Sequence, residues 1–379
     1  MAVPFPSALI RYERLRRNWS LEGLCSGICA VSYLSKIEQG KAEPGKDILR
    51  ALLERLDIRW YDGGDAKRWT EAAAEAGLSF DRRRCMELME ELAANRERYV
   101  QGPHMLDVLL LEKWLNEDGA ADQEVDLAAF ESCFDERQRT MWLMGRNRFD
   151  EAVRLTPCAY TWMMHGSNAY WAGQYSQAIE RLLHACTMAA DEGRARILLH
   201  ARVILGNCYS DQQDYEAMSR HYQAAERLAQ ELGENDILES VRYNRASTDL
   251  QLGRAEKAYA YFESLREPTV MALHKKAICL EKLGRKEEAL QVLSVAKEAE
   301  CSYPPAEIVQ MMLDVVQYRL ENADYLRSAV YGERLLSCFE AIRRELPNGY
   351  AVFHLAWVEE WYAANRQYKQ AYELKKAFS

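Results

Sequence analysis

The chain has 379 residues, of which 49% are hydrophobic and 28% charged, with a formal net charge of −9. That balance excludes disordered and collagen-like chains and suits one large soluble domain or two to three ordinary ones. No run approaches the roughly 18 consecutive apolar residues of a membrane helix. The opening MAVPFPSALIRYERLRR places no basic segment ahead of its short apolar stretch, so neither export nor a membrane partner is expected.

Ten cysteines spread among mostly apolar neighbours read as buried thiols rather than a disulfide scaffold, and they place the chain in a reducing cytoplasm. Charge is shared unevenly. Residues 1–60 hold ten Lys/Arg against seven Asp/Glu, a net +3, which leaves −12 for the other 319 residues. A small basic head on an acidic body means that the head is the part suited to approach nucleic acid.

The whole chain reads as all-α. Prolines and glycines fall mostly between segments with apolar residues at three- and four-residue spacing, and strand alternation is nearly absent. Residues 7–17 predict a first helix. Ser20 offers an N-cap for a second, to about Ser26; a turn at 27–29 follows, then a third helix over 30–39 stopped by Gly40, and a fourth after Pro44. Leu9, Leu15, Leu24, Ile28, Leu34, Ile37, Ile48, Leu52 and Leu56 are placed to meet in one small core. Two short helices joined by a tight glycine turn form a helix-turn-helix, whose second member enters a DNA major groove.

The stretch GICAVSYLSKIEQG, followed by Pro44 and DIL, resembles the lambda-repressor-like (XRE-type) helix-turn-helix that opens the RRNPP family of peptide-sensing transcription regulators. The resemblance implies that Ala30, Val31, Ser32 and Tyr33 face base edges of a double-stranded operator. It places Ser35 and Lys36 on bases or flanking phosphates, and Arg16, Arg17 and Lys41 on the backbone. Ser and Tyr donate to bases or phosphates, and Ala and Val touch thymine methyls. Two positions depart from the family pattern: Leu21 stands where a phosphate-contacting Gln is common, and Gly23 costs a short helix about 1 kcal/mol relative to alanine.

Residues 61–66 read as a linker broken by Gly63-Gly64, which divides a head at 1–60 from a body at 67–379. From 66 to about 116 come helices without repeat anchors, and the Arg82–Arg84 run reads as a solvated face or a domain contact. Beyond them an element recurs: an aromatic residue or a surrogate, followed three positions later by a small residue or its surrogate. Its first positions are Phe149, Tyr175, Tyr215, Ala255, Lys286, Tyr325 and Tyr368, separated by 26, 40, 40, 31, 39 and 43 residues. These steps scatter around the roughly 34-residue tetratricopeptide period. LGNCYSDQQDYEAMSRHYQAA resembles such a repeat most plainly, and an α-solenoid of tetratricopeptide-like repeats is expected.

Counting back from each anchor lands on one helix stripe: Met164, Ser167 and Asn168; Ile204 and Asn207; Asn244, Ser247 and Thr248; Lys275 and Cys279; Asp314, Gln317 and Tyr318; Trp357 and Glu360. Carboxamides in a groove suit an extended peptide, because each donates to a backbone carbonyl and accepts from an N–H. Lys275, with His274 beside it, is placed to take a terminal carboxylate or an acidic residue. VRYNRASTDLQLG is similar to the corresponding helix in the PlcR-like branch of the family; the similarity implies a peptide contact at Asn244, and Asn207 also matches a family contact. The candidate peptide residues are Asn168, Asn207, Asn244, Ser247, Lys275, Asp314 and Gln317; a merely solvated polar face is the other reading.

No enzymatic chemistry is expected, and no cofactor or metal. GKAEPGKD has P-loop spacing, but Asp47 replaces the magnesium-binding Ser/Thr and no strand precedes it. Cys25 and Cys29 lack nearby histidines for a zinc site and read as core thiols. The aromatic stretch 350–378 caps the solenoid or supplies a dimer surface. The resemblance implies a homodimeric, cytoplasmic quorum-sensing-type regulator bound by a short signalling peptide. A protein-protein adaptor with a vestigial head, or a phage lysis-lysogeny switch, are its alternatives.

Overall fold

Helices account for all the regular secondary structure among the described residues. The structure is a computed structural model describing residues 3–61, 63–115, 125–301 and 303–377. Asp62 of the expected linker, Asn116 and Phe378 lie outside the described residues. The chain divides into two compact units, residues 1–165 with 187–197, and residues 166–186 with 198–379.

In the first unit the four expected head helices are α1 (Phe5–Arg16), α2 (Leu21–Cys25), α3 (Val31–Glu38) and α4 (Lys46–Arg55). Leu9, Leu24, Leu34, Ile37, Leu52 and Leu56 are buried as expected, with Ile28 and Ile48 half-buried against them. Leu15 is a correction: it is 53% exposed. Five residues, about 140° of helix, separate it from the buried Ile10, so it points to the opposite side of α1.

The head core does not end at residue 60. It continues into α5 (Gly64–Leu78), α6 (Arg82–Tyr99), α7 (Met105–Leu115), a 3-10 segment over Leu127–Cys133, and α8 (Glu136–Met144), followed by α9 (Phe149–Leu155). Phe130 is fully buried and packs on Phe5 at 5.8 Å and Tyr12 at 5.0 Å. Tyr61 and residues 63–66 are likewise held rather than free. Tyr61 N–H donates to the Gln101 carbonyl at 2.6 Å, α5 begins inside the segment at Gly64, and Ala66 is buried. A domain of about 60 residues buries too little surface to be comfortable alone, and the following helices supply the missing cover.

The remaining helices are α10 (Ala159–Trp171), α11 (Tyr175–Asp191), α12 (Ala195–Asp211), α13 (Tyr215–Leu232), α14 (Asn235–Gln251), α15 (Ala255–Ser264) and α16 (Val270–Lys282). After them come α17 (Lys286–Glu298), α18 (Ala306–Glu321), α19 (Ala329–Glu345), α20 (Asn348–Ala364) and α21 (Tyr368–Ala377). Each of the seven repeat anchors is the first residue of a helix, Tyr325 opening a 3-10 turn ahead of α19. Two positions before six of them the backbone is left-handed, at Asn147, Gly173, Gln213, Gly253, Gly284 and Arg366. That conformation ends a helix with its last carbonyls satisfied, as when Gln174 N–H returns to the Ala169 carbonyl at 2.8 Å.

Within the second unit, pairs then stack on pairs. α16 packs on α14, α15, α17 and α18. The small position of the repeat is fully buried at Ala178, Ala258 and Ala289. Gly206 and Gly332 allow the closest approaches, since a Cβ there would stand 2.2 Å from the Tyr222 ring and 2.0 Å from Trp361. Asn348 Nδ2 donates to Tyr175 Oη at 2.8 Å, bringing α20 against α11.

Candidate functional site

The α2–turn–α3 segment is shaped locally and pinned from a distance. Ser20 Oγ accepts from Gly23 N–H at 2.9 Å at the start of α2, and Gly27, at φ 74°, turns the chain. Behind α3, the Arg14 guanidinium donates to both carboxylate oxygens of Glu38, at 2.7 and 2.8 Å, and to the Trp19 carbonyl at 2.7 Å. Glu38 is buried and Arg14 largely covered, with side-chain exposures of 6% and 11%. Arg55 on α4 donates to the carbonyls of Leu24 and Ser26, holding the turn from below. The Arg14–Glu38 pair and the Arg55 contacts carry no local signal, because their partners lie more than twenty residues apart in sequence.

The outer face of α3 carries Ala30, Val31, Ser32 and Lys36, all exposed. Tyr33 and Ser35 are half-buried and already engaged. The Tyr33 hydroxyl donates to the Glu43 carbonyl at 3.0 Å, and Ser35 Oγ accepts from Gln39 Nε2 at 3.0 Å. Gln39 Oε1 in turn accepts from Lys41 Nζ at 2.7 Å. Arg16 and Arg17 both pair with Glu13, at 2.9 and 3.4 Å. Gln39, which sequence reasoning missed, ties Ser35 and Lys41 together at the C-terminal end of α3. Methyl, hydroxyl and ammonium groups side by side on a helix suit the mixed chemistry of base edges and phosphates.

The second unit holds a cavity of about 1590 Å³. The C-terminal ends of α10, α12, α14, α16 and α19 line it, together with Arg319 of α18 and residues along α20. This volume exceeds the roughly 300–1,000 Å³ of ordinary small-molecule sites. Arg319 is buried, donates to Glu281 at 2.8 Å and lies over the Trp357 ring at 4.4 Å. Asp211, also in the wall, is only 8% exposed, and burial pushes its carboxyl up to about 6.

The structure draws some of the expected peptide residues together and leaves others apart. Asn207 and Asn244 meet: Asn207 Oδ1 accepts from Tyr222 Oη at 2.6 Å and from Asn244 Nδ2 at 3.4 Å. Ser247 sits half-buried one turn further along α14. Asn168 is exposed on α10, two residues before the cavity-lining Tyr170. Trp357 and Glu360 line the cavity.

None of Asn168, Asn207, Asn244, Ser247, Lys275, Asp314 and Gln317 lines the cavity itself. Asp314 and Gln317 are held by Lys297 of α17, whose Nζ donates to both at 2.6 Å. Lys275 is buried, with its amine over the Phe353 ring of α20 and its pKa pulled well down by that burial. His274 beside it is wholly buried, and neither ring nitrogen is hydrogen-bonded. The ten cysteines are free thiols, and Cys25 is a core residue as expected.

Residues 10–62 match the helix-turn-helix family model. No curated protein matches the chain. Among solved structures the chain is similar to Bacillus thuringiensis PlcR in complex with the peptide PapR7 and DNA, at 13% identity over 98% of each chain and a TM-score of 0.18. At that score the likeness fixes neither fold nor function. Among the described residues no helix is long and apolar enough to cross a membrane.

Proposed function

We propose that the chain is a transcription regulator of the RRNPP kind, which binds a double-stranded operator through α3 and is controlled by a short signalling peptide held in its tetratricopeptide-like second unit. The observation that carries this reading is the helix-turn-helix at residues 10–62, whose α3 leaves Ala30, Val31, Ser32 and Lys36 free toward solvent. Tyr33, Ser35 and Lys41, tied within the head, then act as positioned rather than mobile contacts, and Arg16 and Arg17 complete the phosphate-facing set.

The peptide reading draws on the cavity and on the Asn207–Asn244 pair, with Asn168 and Ser247 flanking it. Lys275, Asp314 and Gln317 are outer candidates: they engage only if Phe353 or Lys297 moves. A peptide that prefers one curvature of the helix pairs shifts the population toward that curvature. In a homodimer, that shift selects the spacing of two heads on half-sites about one helical turn, or a multiple, apart.

The test is binding of the purified protein to its own upstream DNA across a salt series, with and without synthetic peptides from neighbouring short reading frames. Specific binding that changes with one peptide supports the reading. Absence of specific binding in every state overturns it and favours an adaptor with a vestigial head.

A further inference from the structure

We propose that the part of the cavity where α10, α11, α12 and α20 meet is a cation subsite, in which Asp211 is the counter-ion for an ammonium or guanidinium group of the ligand. The proposal rests on reading the cavity as a peptide site. Asp211 is more than nine-tenths buried in the cavity wall, forms no ion pair among the described residues, and its Oδ2 has no hydrogen-bond partner. The carboxylate is otherwise well held. The nearby hydroxyls of Tyr170 and Tyr175 favour its charged form against the burial, and Tyr175 Oη accepts from Asn348 Nδ2 of α20 at 2.8 Å.

Gly349 brings the first turn of α20 so near that a Cβ there would stand 3.2 Å from Asp211 Oδ1. The other groups facing it are Cys208 on its own helix and the Tyr222 hydroxyl from α13, and neither is a cation. A desolvated carboxylate with one oxygen unsatisfied is costly. A ligand cation removes that cost, with Coulomb attraction in a low dielectric and the faces of Tyr170, Tyr175 and Tyr215 around it. An α-ammonium and a Lys or Arg side chain offer the same chemistry.

The test uses the full-length protein and saturation-transfer NMR with three probes. These are leucyl-phenylalaninamide, carrying an α-ammonium; N-acetyl-lysyl-phenylalaninamide, carrying a side-chain ammonium; and N-acetyl-glutaminyl-phenylalaninamide, which is neutral. At pH 7.5 at least one charged probe is expected to bind at least tenfold more tightly than the neutral one, and the tighter of the two identifies the source of the cation.

That advantage shrinks about tenfold by pH 5, as protons compete for a carboxyl that titrates at about 6. Asp211→Asn removes the preference and its pH dependence, and the wild-type pH profile tests the same point without relying on the variant's fold. Equal binding of all three probes, or a preference that survives in Asp211→Asn, overturns the cation subsite and leaves the peptide reading standing. Failure of every probe to bind overturns both.

Discussion

The outer face of α3 and the cavity of the second unit serve comparable ends by opposite constructions. The first is one run of sequence: residues 30–41 supply the exposed groups of α3 and the Ser35–Gln39–Lys41 chain that closes the face. The second is assembled from helix ends between Tyr170 and Lys375, and its Asp211 owes its surroundings to residues as distant as Asn348 and Gly349. A local face survives if its helix is held, whereas a distributed cavity survives only if every pair keeps its place. Substitutions should therefore separate the two.

The largest effect is expected at Glu38→Ala, which leaves the largely covered Arg14 guanidinium without its carboxylate. Loss of a buried partner costs about 3–5 kcal/mol, so urea unfolding should show the first unit destabilised and DNA binding lost, with the cavity's ligand affinity unchanged. Asp211→Asn should act in the opposite direction and in the other unit. Because burial raises this carboxyl to about 6, the unfolded chain releases the proton more readily than the folded one, and ionisation penalises the fold above that pH. Stability from this group should rise as pH falls from about 7 toward 4, and the variant should be about 2–3 kcal/mol more stable than wild type at pH 7.5 and equal to it near pH 4.

Gly332→Ala should cost the second unit about 1–3 kcal/mol by driving a methyl into Trp361. An unchanged midpoint would show that α19 and α20 are free to separate. The smallest effect is expected at Lys36→Ala. Removal of one phosphate contact should lower the salt slope of DNA binding by about 1 with little change in stability; an unaltered slope would mean that Lys36 lies away from the backbone.

The same contrast explains what was legible in advance. The repeat anchors found helix starts at Phe149, Tyr175 and Tyr215 because the turn before each is written in neighbouring residues, and Gly173 alone supplies the left-handed position its turn needs. Asn207 and Asn244, placed on one stripe by the sequence, come within hydrogen-bond reach because a repeat carries the register from one helix to the next. The burial of Lys275 was not legible because the ring that covers it belongs to Phe353, in a different pair of the array. The engagement of Asp314 and Gln317 was not legible either, because the lysine that reaches them comes from α17. Leu15 failed for a simpler reason: α1 buries only one narrow face, and Ile10 already fills it.

By itself, then, the sequence determined an all-helical chain, the order of α1 to α4, the exposed outer residues of α3 and the helix start at each repeat anchor. All of these rest on hydrogen bonds and side-chain spacing within a few residues. Only the tertiary structure decided that the head shares its core with the helices after it, that Glu38 and Arg55 hold the turn, and that Asp211 lies buried and half-satisfied beside α20. Those outcomes depend on which distant surfaces exclude water from one another, and no local window of sequence contains both surfaces.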